Sequence, residues 1–273
     1  NTLSNETWSY DFATSTWHQL NPGGPLPPVR RDGVAVYDAA NNRMVVFGGY
    51  NGAFLNDTWA LDLTPGLESW SQIAGAGTLP KGRIFTSLVM DDVNQRAILH
   101  GGYSAGQLRD TWVLDLTAGS ETWNNAAITT AGVPYLPSNG HCACFDPATQ
   151  QMILYRSQYA EVWTLDFNPA TPTWTNITPA GASPGNRTAA TAIFDPLSNS
   201  MSLRGGEAGP EVFADTWSFS LTTGTWTQLG DEPDSGGRRF HTPVYDSTRQ
   251  QMVTFGGRDL HYNRQTNRLG VYK

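Results

Sequence analysis

Apolar and polar residues alternate with a period of two in short stretches along the chain. Residues 57–63 read Asp-Thr-Trp-Ala-Leu-Asp-Leu, and residues 110–116 repeat this phrase with one change. This period is that of a β-strand with one buried face. Residues 33–38 and 43–47 predict two further strands, and the Asp, Ala and Asn residues at 38–42 suit a hairpin turn between them. The pattern therefore predicts an all-β chain.

The tryptophans divide into two series that repeat along the chain. Neighbours within a series lie 51–54 residues apart, and together the series use all ten tryptophans. The first series lies in the strand at 57–63 and its repeats, and the second opens another short strand. Four short antiparallel strands that recur about every 50 residues are typical of a β-propeller blade. The series are Trp8, Trp59, Trp112, Trp163 and Trp217, and Trp17, Trp70, Trp123, Trp174 and Trp226.

A Gly-Gly pair ends the second strand of the repeat. Together with the two tryptophans, this pair resembles the kelch repeat, as in the central domain of galactose oxidase, and the resemblance covers nearly the whole chain. It implies a kelch-type β-propeller. The third repeat has Arg156-Ser157 in place of the glycines. The pairs are Gly48-Gly49, Gly101-Gly102, Gly205-Gly206 and Gly256-Gly257.

The repeats predict one five-bladed propeller domain over residues 1–273, with four antiparallel strands in each blade. The N-terminal pair of third and fourth strands, at 7–20, precedes any partner. We therefore expect it to complete the C-terminal blade, which closes the ring and leaves no open edge. Residues 268–273 are expected to be a tail or a surplus strand. The blades are predicted at 30–73, 83–126, 138–177, 187–229, and 238–257 together with 7–20.

The composition narrows the range of functions. A net charge of −7 argues against a general binder of nucleic acid or of acidic membranes. No apolar stretch approaches the roughly 20 residues of a membrane helix. Cys142 and Cys144 share one strand face, where a disulfide between them would be strained. They occupy the positions of Val34 and Val36 in the first repeat, so we expect core packing, with no metal and no cofactor.

Fifteen arginines accompany only two lysines, which favours fixed bidentate contacts over diffuse charge. An Arg opens the first strand in four repeats, with Ser138 as the exception, and an acid precedes the third-strand Trp in all five. One interpretation is a repeated structural ion pair. The other is a funnel that captures a carboxylate, phosphate or sulfate. The positions are Arg30, Arg83, Arg187 and Arg238, and Glu6, Asp57, Asp110, Glu161 and Asp215.

A second arginine follows the first in two repeats. Arg31 and Arg239 have no matching acid in the repeat, and their blades would be neighbours in a closed ring, so we predict that they bind a ligand. Tyr and Arg often anchor protein interfaces, and the loop after Gly257 departs most from the repeat. The ligand-binding residues predicted on this loop face are Arg31, Arg239, Tyr50, Tyr103, His241, His261 and Arg258.

Two kinds of enzyme with kelch-like propellers offer an alternative. Copper oxidases of the galactose oxidase kind need a Cys–Tyr cofactor with His and Tyr ligands, and no separate domain that would complete such a site is expected here. Plant specifier proteins hold iron through Glu, Asp and His spaced by four. This chain has Glu211 and Asp215, but Phe219 stands where the His would be. The candidate carboxylates for glycoside hydrolysis, which no spacing selects, are Asp32, Glu207 and Asp259.

The sequence therefore predicts a non-enzymatic binding module whose loop face takes a protein, which the kelch resemblance implies first, or a carbohydrate. Two alternatives stay open. One is a carbohydrate-active or metal-dependent enzyme that uses the same face, and the other is a structural subunit of an extracellular assembly. Scarce lysine with abundant Trp, Thr, Asn and Gly favours a secreted or cell-surface protein.

Overall fold

Each repeat of the chain folds into antiparallel strands that pair in chain order. The computed structural model describes residues 3–73, 77–126, 128, 140–168, 172–231, 236–259 and 269–272. Every regular element among these residues is a β-strand, which confirms the predicted all-β class. The same residues include no helix with the length and apolar character needed to cross a membrane. The chain divides into two compact units, Asn1–Ala126 and Ala127–Lys273.

The first unit contains a hairpin and two four-stranded sheets. The hairpin pairs β1 (Thr7–Asp11) with β2 (Thr16–Leu20). The first sheet has the order β3 (Val34–Asp38), β4 (Arg43–Tyr50), β5 (Phe54–Asp62) and β6 (Ser69–Ile73). The second has the order β7 (Ser87–Asp91), β8 (Arg96–Tyr103), β9 (Gln107–Asp115) and β10 (Thr122–Asn125).

The second unit contains two further four-stranded sheets and one sheet of three strands. The four-stranded sheets are β11 (Cys142–Asp146), β12 (Gln151–Arg156), β13 (Glu161–Asp166) and β14 (Thr173–Asn176), and then β15 (Thr191–Asp195), β16 (Ser200–Arg204), β19 (Asp215–Ser220) and β20 (Thr225–Asp231). A small hairpin of β17 (Glu207–Ala208) and β18 (Glu211–Val212) is inserted before β19. The three-stranded sheet is β21 (Thr242–Asp246), β22 (Gln251–Phe255) and β23 (Leu269–Tyr272).

The strand next to β22 decides between two expectations. Of a tail and a surplus strand, residues 269–272 form a strand, because Leu269–Tyr272 pairs antiparallel with β22 in the register Phe255↔Leu269 to Met252↔Tyr272. From the sequence, the N-terminal strand is expected at this place. It pairs with β2, as expected for a third and a fourth strand, but the two form a sheet of their own. Closure of the last blade by the N-terminal strands is therefore not confirmed. The five-blade count and the single domain over 1–273 stay predictions.

The turn between the first two strands of each sheet uses the same chemistry. In the first sheet the Asp38 side chain accepts hydrogen bonds from Asn41 and Arg43, and its carboxylate is fully buried. The residue just before the second strand has a positive φ, 45° at Asn42. Asp and Asn suit such turns because their side chains bond to the local backbone and tolerate a left-handed conformation.

Apolar cores lie between successive sheets within each unit. In the first unit, Phe47 of one sheet packs against Trp123 of the next, with ring centroids 5.0 Å apart. The Nε1 of Trp123 donates a 3.0 Å hydrogen bond to Thr58 Oγ1 of the preceding sheet. In the second unit, Tyr155 and Trp226 play the corresponding apolar roles, 5.6 Å apart. Each of these two tryptophans of a fourth strand therefore connects its sheet to the sheet before it.

Candidate functional site

The arginine that opens the first strand forms a two-pronged ion pair with the acid of its own repeat. Nη1 and Nη2 of Arg30 donate to the two carboxylate oxygens of Asp57, each at 2.8 Å. Nη1 of Arg30 also donates to the carbonyl oxygen of Gly48 at 2.8 Å. One guanidinium therefore links the segment before β3 to β4 and β5. The same fork joins Arg83 to Asp110, at 2.7 and 2.9 Å, and Arg187 to Asp215, at 2.5 and 2.9 Å.

The acid of this fork also accepts a hydrogen bond from the tryptophan two residues later. Trp59 Nε1 donates to Asp57 Oδ2 at 2.6 Å, because residues i and i+2 lie on one face of the strand. Burial by itself would raise the pKa of Asp57, but hydrogen bonds from Arg30 and Trp59 and the charge of Arg30 hold this pKa below its usual value. The carboxylate is therefore ionised and already bonded to protein donors, which leaves little of it for a ligand.

The third repeat reaches the same arrangement from another position. Arg156, at the end of β12, donates to Glu161 Oε2 at 2.8 Å, and Trp163 Nε1 donates to the same oxygen at 2.9 Å. Arg156 stands where the other repeats have the first glycine of the pair, and Ser138 lies outside the described residues. This substitution is not among the features predicted from the sequence. Its signal was that the missing first-strand arginine and the missing glycine pair fall in one repeat.

The last predicted partners of this series, Glu6 and Arg238, belong to different units. Glu6 is exposed and accepts a 3.3 Å hydrogen bond from Trp8 Nε1. Arg238 is buried, with 1% of its surface exposed. Its backbone nitrogen donates to the carbonyl oxygen of Phe213 at 3.0 Å, and its carbonyl oxygen accepts from the nitrogen of Gly206 at 2.8 Å. Arg238 is therefore built into the backbone of the second unit.

The two second-position arginines have different surroundings. Arg31 keeps 47% of its side chain exposed, bonds to the adjacent Asp32, and lies over the ring of Tyr50 at 4.9 Å. Arg239 is buried and forms an ion pair with Glu207 of the inserted hairpin. The sequence offered no acid for Arg239, because β17 and β18 do not belong to the repeat. Of these two arginines, Arg31 therefore has the more accessible side chain.

Aromatic side chains continue from Arg31 along the loop face of the first unit. The rings of Tyr50 and Phe54 are 5.3 Å apart, and those of Phe54 and Tyr103 are 5.9 Å apart. We call Arg31, Tyr50, Phe54 and Tyr103 the aromatic row. Phe54 was not among the predicted residues, although it ends the short β4–β5 turn that Tyr50 begins.

The backbone holds the aromatic row in place. The nitrogen of Arg31 donates to the oxygen of Tyr50 at 3.0 Å, and the nitrogen of Tyr50 returns a 2.9 Å bond to Arg31. Ile84 and Tyr103 make the same reciprocal pair at 3.1 and 2.8 Å. Gly49, with a φ of 107°, allows the first pair, because a Cβ there would lie 2.8 Å from the oxygen of Arg31.

Two other predicted ligand-binding residues, His241 and Arg258, lie next to strands β21 and β22 of the second unit. His241 is buried, and its Nε2 lies 2.8 Å from Thr191 Oγ1. Burial, with the nearby charges of Arg204 and Arg238, lowers the pKa of His241 to about 3. Arg258 is exposed and pairs with Arg239 only through the backbone, at 3.1 and 3.0 Å. His261 lies outside the described residues.

The candidate metal ligands form no metal-binding group within the described part of the chain, and two of the candidate carboxylates are bonded to arginines. Cys142 and Cys144 are buried as free thiols, and burial raises the pKa of Cys142 to about 12. No group of three or more His, Cys, Asp or Glu side chains suited to a metal ion is found among the described residues. Asp32 is bonded to Arg31, and Glu207 to Arg239.

Comparison with known proteins gives one family. A family model described as the KLHDC2/KLHL20/DRC7 Kelch-repeats domain matches residues 1–155. Adagio protein 3 of Arabidopsis thaliana is 29% identical over 209 residues, which cover 70% of this chain and 33% of that protein. Adagio-like protein 3 of Oryza sativa subsp. japonica is 27% identical over 269 residues, which cover 89% of this chain and 40% of that protein.

A further relative and a solved structure agree with this family. Host cell factor 1 of Homo sapiens is 28% identical over 159 residues, which cover 51% of this chain and 8% of that protein. The chain thus spans two fifths or less of the length of these curated relatives. The solved structure titled "Structure of YjhT" superposes with a TM-score of 0.73 over 98% of this chain and 91% of its own. Its sequence identity is 15%, so this likeness concerns the fold alone.

Proposed function

Since the chain belongs to the kelch-repeat family of β-propellers, we propose that it is a protein-interaction module whose partner binds the aromatic row of the first unit. The family supports a protein as the partner. The position on the surface is supported by the geometry of Arg31, Tyr50, Phe54 and Tyr103.

The continuous contact from Arg31 to Tyr103 carries this proposal. Tyrosine and arginine dominate the energetics of many protein interfaces, because they combine a large apolar surface with a polar end. The guanidinium of Arg31 over Tyr50 at 4.9 Å adds a cation–π contact that desolvation by a partner would strengthen. Tyr50, Phe54 and Tyr103 are only partly buried, so a partner can still cover them.

The surrounding structure makes this surface rigid before binding. Two reciprocal pairs of backbone hydrogen bonds hold Tyr50 and Tyr103, and the ring of Phe54 contacts both tyrosine rings. A surface that is already ordered loses less conformational entropy when a partner binds. The ion pairs of Arg30 with Asp57 and of Arg83 with Asp110 add to this rigidity. Since these charges are already bonded within the protein, we assign them to the scaffold and not to the binding surface.

The proposal is tested with a phage-displayed library of random peptides selected on the immobilised chain. Selected peptides are labelled and their dissociation constants measured by fluorescence polarisation for the chain and its variants. Tyr50→Ala and Tyr103→Ala should each weaken binding by about tenfold or more, which corresponds to at least about 1.4 kcal/mol.

Tyr37→Ala is the matched control. Tyr37 is an exposed tyrosine at the turn end of β3, and its hydroxyl donates to Asn42. Peptides should bind this variant as they bind the unaltered chain. A library that yields no binder, or binders whose affinity is unchanged by Tyr50→Ala and Tyr103→Ala, would contradict the proposed surface.

A further inference from the structure

A cleft of about 280 Å³ lies within the second unit, between the β15–β16–β19 face and the β21–β22 hairpin. None of its lining residues belongs to the aromatic row, whose residues are all in the first unit. Its lining is rich in hydroxyl groups, with Ser200, Ser202, Ser218 and Thr216 along one wall. This volume is slightly below the about 300–1,000 Å³ usual for ligand pockets, so it suits only a small molecule.

Two serines of this wall, Ser202 and Ser218, stand where most other sheets have apolar residues. When the sheets are aligned on the pairing of their first two strands, Ser202 takes the place of an apolar β-branched residue in four sheets. Ser218 takes the place of Ala60 and Val113 in the first unit and of Thr164 in the third sheet. In the first unit this face packs against the next sheet in an apolar core. An apolar strand packed on these serines would remove water from their hydroxyl groups without giving them a hydrogen-bond partner. Such packing would therefore add little stability. The four residues equivalent to Ser202 are Val45, Ile98, Ile153 and Val253.

Three polar side chains of the cleft are available to a ligand. Ser202 and Ser218 lie directly opposite each other across β16 and β19. Gln251 lines the other side, with 8% of its surface exposed. Across the described residues, none of these three side chains has a hydrogen-bond partner in the protein, so the cleft offers two hydroxyls and one amide. Such groups both donate and accept hydrogen bonds.

The one carboxylate in the lining is already occupied. Asp195 accepts hydrogen bonds from the Tyr245 hydroxyl at 3.1 Å, from the Ser198 hydroxyl at 2.6 Å and from the nitrogen of Leu197 at 3.0 Å. No lysine or arginine is among the described residues that line the cleft. Its available chemistry is therefore neutral, and Tyr245, Ile193 and Met252 supply apolar surface beside it.

We propose that this cleft binds a neutral polyhydroxylated molecule of the size of a monosaccharide or cyclic polyol. The hydroxyls of Ser202 and Ser218 and the amide of Gln251 bond to ligand hydroxyls, and the ring of Tyr245 contacts ligand C–H groups. This binding goes beyond the proposed protein interaction and uses a different unit, so each can fail without the other.

The experiment is a titration of the ¹⁵N-labelled chain with D-glucose, D-galactose, D-mannose and myo-inositol, followed by NMR. At least one of them should shift the amide signals of Ile193, Ser202 and Met252 in a saturable way. D-Gluconate, the anionic counterpart of glucose, should bind more weakly, because the cleft offers it no cation and holds the charge of Asp195.

Two variants place at these positions the residues that other sheets already contain, so they are expected to fold. Ser202→Val and Ser218→Ala should each weaken binding of the same compound by about tenfold, while Ser71→Ala, an exposed serine of β6, leaves it unchanged. The proposal is overturned if none of the four compounds binds, if binding survives both variants, or if gluconate binds more tightly than glucose.

Discussion

Arg83 donates one hydrogen bond to each carboxylate oxygen of Asp110, at 2.7 and 2.9 Å, from a side chain that is fully buried. Nη1 of Arg83 also bonds to the carbonyl oxygen of Gly101 at 2.8 Å, and Nε to that of Lys81 at 3.0 Å. A buried guanidinium whose three nitrogens are all bonded ties the segment before β7 to β8 and β9. The pair belongs to the scaffold, and its removal is expected to cost stability.

Asp110→Ala should lower the free energy of unfolding by about 3–5 kcal/mol, because it leaves the buried charge of Arg83 without its counterion. Urea unfolding followed by tryptophan fluorescence measures this loss. Asp32→Asn is the control, since the pair of Arg31 and Asp32 is partly exposed and should be worth at most about 1 kcal/mol. Equal losses in the two variants would contradict the structural role assigned to the buried fork.

Val162→Thr should stabilise the second unit. The indole nitrogen of Trp226 is buried and lacks a hydrogen-bond partner among the described residues, whereas Trp123 donates to Thr58 of the preceding sheet. Val162 takes the place of Thr58 in its own sheet, so a threonine there supplies the missing acceptor. We expect a gain of about 0.5–1.5 kcal/mol in the free energy of unfolding.

The reciprocal variant tests the same relationship from the other side. Thr58→Val removes the acceptor of Trp123 and should destabilise the first unit by about 1–3 kcal/mol, because it leaves a buried N–H group unbonded. Thermal unfolding of both variants beside the unaltered chain is sufficient. Opposite signs are expected, and a destabilising Val162→Thr would show that the indole of Trp226 does not reach position 162.

His241 makes the stability of the second unit depend on pH. Its pKa is lowered to about 3 by burial and by the charges of Arg204 and Arg238, whereas the pKa of an unfolded histidine is about 6.5. Between these values the unfolded chain holds one proton more than the folded chain. Stability therefore falls as the pH is lowered from about 6.5 towards 3, by up to about 1.4 kcal/mol per pH unit.

Unfolding by urea across this pH range measures the slope. His241→Gln removes the titrating group while an amide can still bond to Thr191, so its profile should be flatter than that of the unaltered chain. His18→Gln changes an exposed histidine of β2 and should leave the profile as it is. The same slope in all three proteins would exclude His241 as its origin.

Alanine substitutions at Gly49 and Gly52 distinguish two causes of destabilisation, which are a side chain on a residue with positive φ and a steric clash of its Cβ. Their φ angles are 107° and 117°, but a Cβ at Gly49 would lie 2.8 Å from the oxygen of Arg31, whereas one at Gly52 meets nothing within 4 Å. Gly52→Ala should cost about 1–3 kcal/mol. Gly49→Ala should cost more and also weaken peptide binding at the aromatic row, because it displaces Tyr50. Equal losses of stability, with peptide binding intact, would contradict this.

Several features of the fold follow from the sequence alone. The phrase from Asp57 to Leu63 predicts a strand with alternating faces, and the structure places β5 there, with the indole of Trp59 bonded to Asp57. The turn after Asp38 is likewise predicted by its residues. These features depend on neighbours within a few positions, so local sequence is enough to determine them.

Other features required the tertiary structure. Arg156 takes the place of a missing arginine, Glu207 of an inserted hairpin pairs with Arg239, and Leu269–Tyr272 forms the strand beside β22. Each of these contacts joins the repeat to a segment that departs from it, and an alignment of repeats has no position for such a partner.

The sequence by itself determined the all-β class, the repeat and which residues alternate on each strand, because those depend on local spacing and recur four or five times. Only the tertiary structure decided which side chains are accessible. Arg31 and Arg239 occupy the same position in the repeat, yet one is exposed and the other is buried against an acid. Ser202 and Ser218 become a cleft wall only when β16 pairs with β19. The accessibility of a side chain depends on which residues, distant in the sequence, pack against it, and only the tertiary structure determines that packing.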